Sequence, residues 1–116
     1  MHADSLFVIL AALILVPLGV AKMLAVPDMR RRAAHHGIAV DRYRLIGLAE
    51  LAGAAGLAVG LRASVIGYLA AAGLLLLLAG ALVSHRRSGD EPVKTAPAVF
   101  TALVVVGFVI TVASGV

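Results

Sequence analysis

The sequence predicts an all-α fold, an integral membrane four-helix bundle with a short interfacial helix in its first loop. Three observations carry this. Hydrophobic residues make up 62% of the 116 residues, and the mean hydropathy is +1.07, whereas soluble domains are about half apolar. Four apolar runs, 6–26, 43–61, 64–84 and 96–116, approach or reach the roughly 20 residues that cross a hydrocarbon core. None alternates apolar with polar as a barrel strand would, and helices satisfy their own backbone in lipid. A single transmembrane domain, 1–116, is expected.

Span one (6–26) contains Pro17, which should kink it. Its start, Met1-His2-Ala3-Asp4, lacks the basic region of a cleavable signal peptide. Pro27 ends the span. Asp28 is a candidate cap for a short helix over 29–36, and Gly37 a natural stop. That helix is expected at headgroup level, where Arg30, Arg31 and Arg32 would each attract anionic lipid by about 1 kcal/mol. Asp41 is a candidate N-cap for span two. The tight turn Arg62-Ala63-Ser64 makes spans two and three antiparallel neighbours. Loop three (85–95) is polar. Thr95 is positioned to cap span four, with Pro97 tolerated in its first turn.

Loops one and three share a side and hold Arg30, Arg31, Arg32, Arg42, Arg44, Arg86, Arg87 and Lys94, against Arg62 alone opposite. This bias predicts cytoplasmic loops one and three and outward termini. It also explains the pI near 10.4 as topology, so no nucleic-acid partner is expected. With no cysteine, thiolate catalysis and iron–sulfur ligation by this chain are excluded. There is no tryptophan, and aromatics are 4%, so the aromatic belt is thin.

Lys22 and Glu50 lie inside spans, where ionisable groups are expensive and face protein or a cavity. At 1.5 Å per residue, both lie roughly 6–8 Å below the same boundary. Gly19, one turn before Lys22, leaves room for their approach. An ion pair joining spans one and two is the favoured reading. The alternatives are a Lys22 that snorkels to the interface and a Glu50 that serves as a proton or cation site. Helical spacing puts Gly47, Gly53 and Ala54 on the face of Glu50, and Gly56 and Gly60 form a small-xxx-small pair. These glycines mark close helix packing, which is common in membrane helices and carries little functional specificity.

His85 ends span three on the same side. It is a candidate third member of the Lys22–Glu50 cluster, or simply a solvated interfacial histidine. His35 and His36, being adjacent, should point about 100° apart on a helix, and His2 lies on the opposite side. No metal site and no catalytic constellation are expected.

Gly19-Val-Ala-Lys22-Met-Leu leads into a loop with Pro27, Met29 and Gly37. Gly47-Leu-Ala-Glu50-Leu-Ala-Gly53 follows, then a Gly/Ala-rich span and a third span closing on His85. In these residues the chain resembles the DoxX-like family of small four-helix membrane proteins, in its actinobacterial form. Gly19, Lys22, Glu50 and Gly53 carry the likeness best. The resemblance implies a bundle in the cytoplasmic membrane. It also implies a role like that of relatives linked to thiosulfate–quinone oxidoreduction or, more distantly, to membrane-protein assembly. The missing cysteines set sulfur redox by this chain alone in doubt.

The functional expectation is a non-enzymatic accessory subunit or assembly factor of a larger, respiratory or redox, membrane complex. Its partners would be lipids and other subunits or copies of itself. The alternatives are a proton- or cation-coupled transporter using Glu50, and a quinone- or lipid-binding redox subunit. No cofactor is required by the sequence beyond such a quinone or lipid.

Overall fold

The computed structural model describes residues 3–115, so His2 and the last position of the expected fourth span lie outside the described residues. The chain is all-helical: α1 (Ala3–Met23), α2 (Pro27–His35), α3 (Val40–Val59), α4 (Ser64–Arg87), a 3₁₀ turn (Pro92–Thr95) and α5 (Ala96–Ser114). Three segments are long and apolar enough to cross a membrane: α1, α4, and the 3₁₀ turn with α5. The segment α3 has the length but not the composition, because Arg42, Arg44 and Glu50 interrupt its apolar run.

The four long helices pack in cyclic order: α1 on α3, α3 on α4, α4 on α5, α5 on α1. The body is 42 Å long, close to the ~40–45 Å of a bilayer with its headgroups. Val8, Ala11, Leu15, Ala54, Leu57, Ala71, Leu74, Val104, Val105 and Phe108 form the shared core. Many large apolar side chains instead point outward; Leu13, Leu69, Leu76 and Leu103 are each more than 60% exposed. A soluble monomer rarely shows apolar surface on this scale.

Small residues set the spacing. A Cβ on Gly47 would stand 2.6 Å from the Gly19 carbonyl oxygen, and one on Gly19 would stand 2.9 Å from that of Gly47, so this crossing requires glycine. On the other side of α3, Gly53 accepts Leu74, Gly56 faces Ala70, and Gly60 lies against Gly67. Gly67 also receives the buried ring of Phe108, and Gly107 receives Phe7.

Several end signals differ from the sequence reading. Pro27 itself begins α2, where its missing N–H costs nothing, so Asp28 falls inside the first turn and pairs with Arg31 and Arg32. Asp41 is not the cap of α3: Ala39 is, in extended conformation, and Asp41 adds charge to the first turn. Thr95 is the cap residue of α5, but its hydroxyl accepts no helix N–H and donates to the Pro92 carbonyl.

Three helices end on a left-handed residue whose successor bonds back five residues: Ala25 (φ 50°), Gly37 (φ 68°) and Gly89 (φ 72°). Gly37 is at the expected stop. Gly89 carries α4 past 84 to Arg87 and folds Asp90 back, its N–H donating to the His85 carbonyl at 3.0 Å.

Candidate functional site: an internal cavity with two polar clusters

The close Gly19–Gly47 crossing brings α1 and α3 together one turn from the ends of their apolar stretches. Lys22 projects there from α1 and donates from Nζ to Glu50 Oε1 on α3. The pair is secluded: the side chains are 14% and 6% exposed. The Tyr43 ring, one to two turns before Glu50, lies under the ammonium at 5.2 Å, in range for a cation–π contact. Tyr43 was not singled out in the sequence. Its signal was helical spacing, since residues 43, 47 and 50 share a face.

His85 does not bond to this pair. It belongs to a second cluster, formed where the ends of α2 and α4 meet. His35 Nε2 lies 2.5 Å from Asp90 Oδ1, and His85 Nδ1 lies 2.6 Å from Asp90 Oδ2. His36 stands between them, with Nδ1 2.7 Å from Ser84 Oγ and 3.1 Å from Ser88 Oγ, and Nε2 3.8 Å from Asp90 Oδ2. The adjacent histidines converge because α2 stops at His35. The ring of His36, the capping residue, then turns edge-on to those of His35 and His85. Hydrogen bonds from His35 and His85 hold the Asp90 carboxyl low, at about 2. Burial, then the neighbouring His85, push the His36 imidazole below its ordinary value. The sequence left His36 and Asp90 out of any site because 54 residues separate them and only the Gly89 turn brings Asp90 inward.

A cavity of about 440 Å³ connects the two clusters. Its walls are mainly aliphatic, including Ile14, Leu18 and Leu77. Lys22, Glu50, His36 and His85 supply polar groups. Thr101 also lines it, with its hydroxyl donating to the Pro97 carbonyl at 2.7 Å. The lining also includes Leu76, which is 76% exposed. The volume lies in the range typical of small-molecule sites, and a largely apolar lining with a few convergent polar groups is the usual pattern of one.

The remaining sequence-selected residues lie outside this centre. Gly53, Gly56 and Gly60 serve the α3–α4 seam. Arg30 donates from Nε to the Ala25 carbonyl at 2.9 Å, which satisfies the end of α1. Arg31 and Arg32 are exposed partners of Asp28, and Arg32 also reaches the cavity rim. Among the described residues, every buried side-chain nitrogen or oxygen has a hydrogen-bond partner.

Three apolar helices of spanning length, an outward-facing aliphatic surface and an internal polar pair define a small integral membrane protein. The family model of the DoxX-like family matches residues 6–107, nearly the whole chain, and the protein belongs to that family. Comparisons with curated proteins and with solved structures give no match.

Proposed function

We propose that this chain is a multi-pass protein of the cytoplasmic membrane in which α1, α3, α4 and α5 all span as a four-helix bundle. It acts as a non-enzymatic subunit that holds a small amphipathic molecule, a quinone or a lipid, within a larger membrane assembly. The cavity is the observation that carries the reading. Its aliphatic walls suit an isoprenoid or acyl tail, and the polar groups gathered toward one end suit a head with carbonyl or hydroxyl oxygens. Leu76, both exposed on the helix surface and part of the lining, suits lateral entry of such a molecule from lipid.

That α3 also spans is supported by its position between α1 and α4. Its interior charge is paired with Lys22, and its other charged residues cluster at its start. The same clustering, with Arg86, Arg87 and Lys94, favours cytoplasmic loops one and three and outward termini. Arg31 and Arg32 would then meet anionic headgroups. A transporter driven by Glu50 is less well supported, because the carboxylate is engaged by Lys22.

The test is saturable binding of a short-chain benzoquinone and of a single-chain lysolipid to the nanodisc-embedded protein. Gly80→Leu serves as the control. Gly80 is an exposed member of the cavity lining, and a Cβ there meets nothing within 4 Å, so leucine adds bulk to the wall without a clash at its root. Binding of either probe that Gly80→Leu abolishes, with the melting temperature kept, supports the reading. Absence of saturable binding, or binding indifferent to Gly80→Leu, overturns it.

A further inference from the structure

We propose that His36, His85 and Asp90 form a binding site for a divalent transition-metal ion of the Zn²⁺ class, which clips loop one to loop three beside the cavity. The three residues offer two imidazole nitrogens and a carboxylate oxygen, all within 4.8 Å of one another. They come from the cap of α2, the last turn of α4 and the turn that follows it. Metal bonds of ~2.0–2.2 Å put neighbouring ligands of a tetrahedral ion roughly 3.4 Å apart. In this structure His85 Nδ1 and Asp90 Oδ2 are 2.6 Å apart, and His36 Nε2 and Asp90 Oδ2 are 3.8 Å apart. An ion entering between them spreads the first pair and draws in the second, each by less than ~1 Å.

The outer groups are in place for this. With its proton on Nδ1, His36 donates to Ser84 Oγ and presents the Nε2 lone pair toward Asp90. His35 Nε2 bonds the other Asp90 oxygen, Oδ1, which leaves Oδ2 as the ligand atom. Metal-bound histidines and carboxylates are commonly oriented by such second partners. All three residues line a neighbouring cavity of about 520 Å³, rimmed by Arg31, Arg32 and Lys94, which leaves room for a water as fourth ligand. Two nitrogens and one carboxylate favour a borderline ion over Ca²⁺ or Mg²⁺, which require a shell of oxygens. The chain has no thiolate to select a soft ion such as Cu⁺. The site shares His36 and His85 with the lining of the apolar cavity, and metal uptake is read with no quinone or lipid probe added.

The test uses the full chain in nanodiscs, purified without a histidine tag and stripped with chelator, then titrated with Co²⁺ and Zn²⁺. One equivalent of Co²⁺ should bind with the visible d–d bands of a four-coordinate ion, and Zn²⁺ should displace it. His36→Ala and Asp90→Asn should each weaken binding by at least about a hundredfold. Ser84→Ala should weaken it about tenfold with band positions and stoichiometry unchanged, as expected for a positioning residue. X-ray absorption of the wild-type Zn²⁺ complex, which needs no variant to fold, should show two imidazoles with oxygen donors. No stoichiometric uptake at micromolar ion, an absorption spectrum lacking imidazole, or affinity unchanged in the well-folded variants overturns the assignment.

Discussion

Removing one partner of the Lys22–Glu50 pair should cost far more than removing both. The side chains are 14% and 6% exposed, so neither is hydrated enough to lose its counter-charge cheaply. Breaking a buried pair from one side costs about 3–5 kcal/mol, whereas an apolar pair of similar volume is often neutral. The two sides are not equivalent. Lys22 lies at the last turn of α1 on a four-carbon stem, and after Glu50→Leu its ammonium can reach toward the interface, which places this variant near ~3 kcal/mol. Glu50 lies mid-helix with a shorter reach, so Lys22→Met belongs near ~5 kcal/mol. The double variant Lys22→Met/Glu50→Leu should cost less than either single change. Unfolding free energies from SDS titration in mixed micelles measure all four corners of the cycle. Single costs that simply add would refute the argument that these groups are buried as a pair.

The glycines separate packing from propensity. Gly47→Ala drives a methyl to 2.6 Å from the Gly19 carbonyl and 2.7 Å from Lys22 Cβ, and should destabilise by about 1–3 kcal/mol in the same titration. Gly73→Ala, where a Cβ meets nothing within 4 Å, should instead stabilise by up to ~1 kcal/mol. Phe108→Ala, emptying a fully buried site against Gly67, should cost about 3–5 kcal/mol by thermal or SDS unfolding. Gly89→Ala forces a left-handed alanine at a cost of roughly 1–2 kcal/mol. It should also loosen Asp90 from His35 and His85, seen as altered imidazole ¹⁵N shifts, with the Lys22–Glu50 region unchanged.

The long helices were legible because apolar runs and charged loops are one-dimensional signals, and the Gly19, Lys22, Gly47, Glu50 spacing is a helical period. The turn at Arg62-Ala63-Ser64 likewise fixed α3 and α4 as neighbours. Helix ends were read less well. Asp28 and Asp41 have the chemistry of caps, but those helices start two residues earlier, at Pro27 and, after an extended Ala39, at Val40. The histidine cluster was invisible for a different reason. His36 and Asp90 are separated by 54 residues, and the cluster's convergence depends on α2 ending at His35 and on the left-handed Gly89 returning Asp90 over His85. The cavity was equally hidden, since it follows from the cyclic packing of the four long helices and from no local pattern.

The most direct test of the central claim is native mass spectrometry of the protein released from native nanodiscs. The account predicts a stoichiometric adduct with the mass of a quinone or a lipid, retained in the wild type and lost in Gly80→Leu. A bare chain, or an adduct that persists unchanged in Gly80→Leu, would contradict it.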